Sequence, residues 1–143
     1  MSSSSLQGHI ICDGSAAAPV ILLEEPLSFW GGYEPQTGRI VDQHHPQAGE
    51  TVMGRIMVLP ESRGSAGTPA GIAESIRLGT GPVGIVAMKP DINIVAGLVT
   101  ASRLYQREIP FLTVSPNDYE NLRNVSALEI STGGCITLKS LKF

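Results

Sequence analysis

A chain of 143 residues, 42% hydrophobic and 16% charged, is long enough to bury the core of one domain and too apolar to stay disordered. Its ten Lys and Arg residues are scattered under a formal net charge of −3, so no electrostatic footprint for nucleic acid is present. Two cysteines, Cys12 and Cys135, give neither a disulfide framework nor paired metal-ligand spacing, which points to a reducing cytoplasm. No basic segment followed by an apolar run opens the sequence, and no stretch approaches transmembrane length, so neither export nor a membrane span is expected.

Residues 1–7, Met-Ser-Ser-Ser-Ser-Leu-Gln, read as a disordered tail. Residues 9–12 and 18–23 form two short apolar runs separated by Asp13-Gly14-Ser15, which predicts a β-ribbon. From residue 24 to residue 47 the pattern dissolves into Pro, Gly, aromatic and His residues. That is too long for an ordinary connection and marks a candidate binding or interface loop. Residues 52–59 are β-branched and apolar enough for a buried strand. A helix is expected over residues 69–78, with a Thr68 cap, Pro69 in the first turn and Gly79 as its stop. Residues 83–88 make another buried strand, and Asp91 caps a helix that ends near Arg107. A third apolar strand over 109–114 leads through Ser115-Pro116 into a short helix. Residues 127–130 and 135–138 flank Thr132-Gly133-Gly134 as a hairpin. Strands and helices alternate in the middle while strands occupy both ends. The expected architecture is α/β, a mixed sheet or small barrel with helices packed on one side.

The most informative stretch is 59–69, Leu-Pro-Glu-Ser-Arg-Gly-Ser-Ala-Gly-Thr-Pro, a small, polar loop between a buried strand and a helix start. Unpaired N–H groups and the positive end of the helix dipole favour negative charge there. Arg63 adds a planar cation suited to a carboxylate. A Ser/Gly-rich connection of this kind also serves as a plain strand-to-helix link. It matches neither a P-loop nor a nucleophile elbow.

His44 and His45 are adjacent, so in extended chain they face opposite ways and do not make a shared metal site. They orient or sense a ligand, or they are an exposed pair with no function. Trp30 beside Gly31-Gly32 is either an interface anchor or an aromatic at the edge of the core. Asp13, Asp42, Asp91 and Asp118 each have a turn or capping explanation, so no acid and base pair stands out.

Three motifs then occur in order: Pro26-Leu27-Ser28-Phe29-Trp30-Gly31-Gly32; Gly38-Arg39-Ile40-Val41-Asp42 with His44-His45-Pro46; and Leu59-Pro60 with Ser62-Arg63-Gly64-Ser65. Together, over about Gly8 to Leu138, they resemble the small subunit of the aconitase X family. The resemblance implies a swivelling β/β/α domain over residues 8–143 that closes over an iron–sulfur cluster held by a separate large subunit. It implies a hydro-lyase active only with that subunit, taking a small hydroxy acid: cis-3-hydroxy-L-proline in bacterial members, mevalonate 5-phosphate in archaeal ones. By the same likeness Ser65 is the base, a Gly64 N–H binds the substrate carboxylate, and Arg63 and Ser62 complete the substrate-binding loop. Trp30, His44 and His45 become interface candidates. The chain departs from family members that continue with a run of serines, since Ala66-Gly67-Thr68-Pro69 follows here.

A cubane cluster needs about three or four cysteine thiolates close in space, so with two cysteines this chain is expected to hold no cofactor. A serine base needs a cation or a helix dipole to stabilise its deprotonated form, which Arg63 and the helix start could supply. The stretch from Leu104-Tyr105 to Phe111, leading into Ser115-Pro116, resembles bacterial members. A phosphate substrate would draw on more cations than Arg63. Both points favour cis-3-hydroxy-L-proline, with 1-pyrroline-2-carboxylate as product. The alternatives are mevalonate 5-phosphate as substrate and a non-catalytic module that docks a partner through residues 24–47. An apolar surface left bare by a missing large subunit would drive homo-oligomerisation.

Overall fold

The computed structural model describes residues 4–29, 31–62 and 67–139. Along the chain run β1 (Ser4–Gln7), β2 (His9–Cys12), β3 (Ala16–Leu22), β4 (Tyr33–Glu34), β5 (Arg39–Ile40), β6 (Ile56–Leu59), α1 (Thr68–Leu78), β7 (Gly84–Ala87), α2 (Ile92–Tyr105), β8 (Phe111–Thr113), α3 (Pro116–Asn121), β9 (Ala127–Ser131) and β10 (Cys135–Lys139). Eight strands make a mixed sheet in the order β1-β10-β9-β3-β6-β7-β8-β2, and β4 and β5 pair as a separate small hairpin. Strands β3, β6, β7 and β8 run parallel, β2 is antiparallel to β8, and the pairs from β3 outward through β9 and β10 to β1 are antiparallel.

The two edge strands of this order, β1 and β2, are neighbours in sequence with only Gly8 between them, so the sheet curls until it is nearly a closed barrel. The Gly8 N–H bonds to the Gly134 carbonyl at 2.8 Å. A Cβ on Gly8 would sit 3.1 Å from Leu112 Cβ and 3.2 Å from the Ile136 side chain. The bare backbone therefore lets the interior pack where the two ends meet.

Strand alternation sorts the core into two layers. Ile56 and Val58 of β6, Val86 of β7, Leu112 of β8, and Leu128, Ile130 and Ile136 fill the barrel interior with Leu122 and Tyr119. Met57 and Leu59, Ile85 and Ala87, and Phe111 point the other way, against Ile72 and Ile76 of α1 and Ile94, Leu98 and Ala101 of α2. The helices lie close. A Cβ on Gly97 of α2 would come within 3.0 Å of the Pro69 carbonyl and 3.1 Å of Ile72 Cβ.

Helix ends follow local chemistry. Asp91 caps α2 by accepting from the Asn93 and Ile94 N–H groups, and Ser115 caps α3 by accepting from Asp118. Gly79 ends α1 at φ 78°, a left-handed conformation that glycine adopts without a Cβ penalty.

Four local expectations need correction. Residues 4–7 are not a tail: they form β1, paired with β10 from Ser4↔Leu138 to Gln7↔Cys135, a strand made by backbone pairing around the half-buried Leu6. Strands β2 and β3 do not make a ribbon, because β2 pairs with β8 and β3 with β6 and β9. Asp13 instead accepts from the Gly14 N–H at 2.9 Å and reaches across to the Gly133 N–H at 3.1 Å. The strand expected over 52–59 starts only at Ile56, since Gly54 turns the chain at φ 69°. Thr68 does not cap α1: it is the first helical residue, and Gly67 holds the N-cap position.

Candidate functional site

Ligands in parallel α/β sheets gather outside the carboxyl ends of the strands, where loops rather than packed side chains meet solvent. Here β3, β6 and β7 send their exits to one edge through residues 23–29, 60–62 and 88–91, and hydrogen bonds tie these exits together. The Leu23 N–H bonds to the Val58 carbonyl at 2.7 Å, and the Met88 N–H to the Pro60 carbonyl at 3.1 Å. Leu27 and Ser62 form an isolated parallel bridge. Lys89 Nζ lies 3.2 Å from Glu61 Oε2, and the Ser62 hydroxyl donates to Asp91 Oδ2. The other carboxylate oxygen, Oδ1, accepts from Asn93 at 2.8 Å and Ile94 at 3.2 Å.

Of the expected site residues, Ser62 is placed on this edge, but its side chain is buried at 8% exposure and its hydroxyl is committed to Asp91. A substrate-binding role would require that bond to break. Arg63, Gly64 and Ser65 lie outside the described residues, as does Trp30. The chain re-enters at Gly67, and α1 starts with no side-chain cap and no acidic residue in its first turn. Thr68 is fully buried, with its hydroxyl lacking a hydrogen-bond partner. The dipole of this helix end therefore has no carboxylate of its own, the condition that suits an incoming anion.

His44 and His45 part as extended chain requires. His45 is buried: its Nδ1 accepts from the Gln47 N–H at 3.0 Å, which leaves Nε2 to donate to the Glu25 carbonyl at 3.1 Å. It braces the 24–47 segment through these two bonds. His44 is exposed, its own N–H held by Asp42 Oδ1 at 3.0 Å.

Between this segment and the first turns of α1 lies a cleft of about 520 Å³ lined by Phe29, Tyr33, Pro35, Ala70 and Gly71, with Glu74 among them. Phe29 and Tyr33 meet edge to face at 5.2 Å. Burial pushes the Tyr33 phenol up to about 12, and the Ser75 hydroxyl lowers it slightly without completing a hydrogen bond of good geometry; that hydroxyl donates to the Ile72 carbonyl at 2.9 Å.

The donor set does not fit an iron–sulfur cluster. Two cysteines fall short of the three or four thiolates that a cubane requires. Burial pushes the Cys12 thiol up, away from the thiolate that binds metal. Among the described residues, no group of three or more His, Cys, Asp and Glu side chains could hold a metal ion. No helix among them is long and apolar enough to cross a membrane.

Sequence reasoning identified Asp91 as a cap but missed its second bond, and it missed Lys89. The adjacency of β6 and β7 was the available signal, since neighbouring parallel strands bring their exits together.

The family model for the aconitase X swivel domain matches residues 5–138. The chain belongs to that family. The swivel domain is 30% identical to a cis-3-hydroxy-L-proline dehydratase of Hypocrea jecorina over 96% of this chain and 23% of that protein. It is 34% identical to one of Pseudomonas aeruginosa over 68% of this chain and 17% of that protein. It thus spans less than a quarter of the length of these two relatives. It is also 34% identical to a phosphomevalonate dehydratase small subunit of Methanothermobacter thermautotrophicus, over 65% of this chain and 71% of that one. The crystal structure of Thermococcus kodakaraensis aconitase X superposes with a TM-score of 0.82 at 22% identity, covering 96% of this chain and 99% of that chain. The likeness establishes the swivel-domain fold expected from the sequence, a mixed sheet nearly closed into a barrel with helices.

Proposed function

We propose that this swivel domain is the small subunit of an aconitase X-type hydro-lyase that dehydrates cis-3-hydroxy-L-proline when joined to a larger subunit in the cytoplasm. The observation that carries the reading is the edge where β6 meets α1: a helix start without a carboxylate, at the exit of a buried parallel strand, directly follows the Ser62-Arg63-Gly64-Ser65 motif. In this proposal Arg63 and the Gly64 N–H hold the substrate carboxylate, and Ser65 Oγ takes the proton from the adjacent carbon. The C3–O bond breaks and the hydroxyl leaves as water. The enamine so formed tautomerises to 1-pyrroline-2-carboxylate. An iron–sulfur centre, for which this chain has no donor set, would belong to the larger subunit. Without that subunit, exposed side chains such as Ile92 and Leu104 favour self-association.

A second reading, mevalonate 5-phosphate as substrate, is supported by Lys89, a further cation on this edge beside Glu61. It also has the relatives named phosphomevalonate dehydratase small subunit. Turnover of both compounds by the reconstituted pair separates the two. Full activity of the large subunit alone would favour a non-catalytic docking module instead. Replacing Ser65 by Ala is expected to lower turnover by about 1,000-fold, as for loss of a group acting in the transition state. Retention of a substantial fraction of wild-type turnover would remove Ser65 as the base.

A further inference from the structure

We propose that Asp91 is a positioning residue for this reaction, setting through Ser62 the direction in which the chain enters its Arg63-to-Ser65 segment. The proposal rests on the dehydratase reading above. Capping α2 requires one carboxylate oxygen, and Oδ1 does that by accepting from Asn93 and Ile94 at 2.8 and 3.2 Å. Oδ2 acts elsewhere, accepting the hydroxyl of Ser62, a residue only 8% exposed. A hydrogen bond to an ionised acceptor is about twice as strong as a neutral one.

The neighbouring contacts share this direction. Pro60, Glu61 and Ser62 are each tied to the turn after β7, through Met88, Lys89 and Asp91 respectively. The Glu61–Lys89 pair is exposed and contributes little, so the Met88 and Asp91 bonds do the holding. Where the chain re-enters α1, the Pro69 carbonyl lies so near Gly97 of α2 that a Cβ there would be 3.0 Å away. Ser62 on one side of the segment and Pro69 on the other thus both lie against α2 or its cap. Misplacing a reacting group by about 1 Å costs on the order of 100-fold in rate, so releasing the entry point should be felt in turnover.

The test uses the reconstituted two-subunit enzyme. Ser62→Ala removes the donor. Asp91→Ser keeps a capping oxygen for α2 while losing the one that reaches Ser62. Each is expected to lower kcat by about 10- to 100-fold, with KM within about three-fold and little change in melting temperature. The double variant should fall no further than either single one, because both remove the same contact. Wild-type kcat in Ser62→Ala, losses that multiply in the double variant, or a loss of rate that tracks melting temperature would each overturn the proposal. If the wild-type pair dehydrates neither substrate, the dehydratase reading fails by itself. Amide hydrogen exchange of the full chain then decides the contact separately. Faster exchange over residues 61–67 in both variants, with β7 unchanged, supports the coupling of the two turns, and unchanged exchange there refutes it.

Discussion

The chain contains two strand-to-helix junctions side by side, and they treat the same electrostatic problem in opposite ways. At the β7–α2 junction Asp91 occupies the N-cap and bonds the Asn93 and Ile94 N–H groups, so the helix dipole meets a charge supplied by the chain itself. At the β6–α1 junction the N-cap is Gly67 and no acidic residue stands in the first turn. Both helices pack on the same face of the sheet and touch at Gly97, so packing does not explain the difference. An aspartate at a helix start stabilises the fold and closes that start to an anion. One junction carries its own carboxylate, and the other has none in its cap or first turn, which is the contrast the proposed substrate site relies on.

Substitutions that make the junctions alike should erase the contrast. The largest effect is expected from Ala70→Asp, which places a carboxylate in the first turn of α1 at an exposed position. Melting temperature should hold or rise slightly, while kcat/KM of the reconstituted enzyme falls by about 10- to 100-fold through repulsion of the substrate anion. An unaltered kcat/KM would break the comparison. Next comes Gly71→Ala: its Cβ would lie 2.7 Å from the Phe29 carbonyl, so the start of α1 must shift. Denaturant titration should register a loss of about 1–3 kcal/mol.

Asp91→Ala takes the cap from the finished junction and should cost about 1–2 kcal/mol in the same measurement. Tyr33→Phe sharpens the comparison with the smallest change. The phenol is buried without a good partner, so its removal should alter stability at neutral pH by less than about 0.5 kcal/mol. Because folding raises the Tyr33 pKa from 10.0 to about 12, the folded chain keeps that proton longer than the unfolded one. Stability should be full below the unfolded value and decline as pH climbs towards about 12. In the Phe variant this part of the decline should vanish.

How much of this was legible depended on whether the signal was local. Strands β6 and β7 and helices α1 and α2 are announced by continuous apolar runs, an Asp cap and a Gly stop, all readable within a few residues. Strand β1 was not, because a serine-rich segment becomes a strand only when β10 offers its edge. The same holds for Asp13, whose turn chemistry serves Gly133 from the other end of the chain. At the site, the motif and the helix start were visible in order. The Ser62–Asp91 bond was not, since it depends on two separate exits lying together. His45 shows the converse: a histidine pair that suggests chemistry resolves into one buried brace and one exposed side chain.

The pairing of β1 with β10 sets Ser4 opposite Leu138, so the first and last described strands emerge at the same place on the surface. A domain with its ends together can be spliced to another polypeptide through either terminus without threading or reorienting its barrel. In two relatives the matching region is under a quarter of a longer protein. For the two-subunit enzyme proposed above, a short flexible tether between this chain and the larger subunit should therefore raise the local concentration of one for the other.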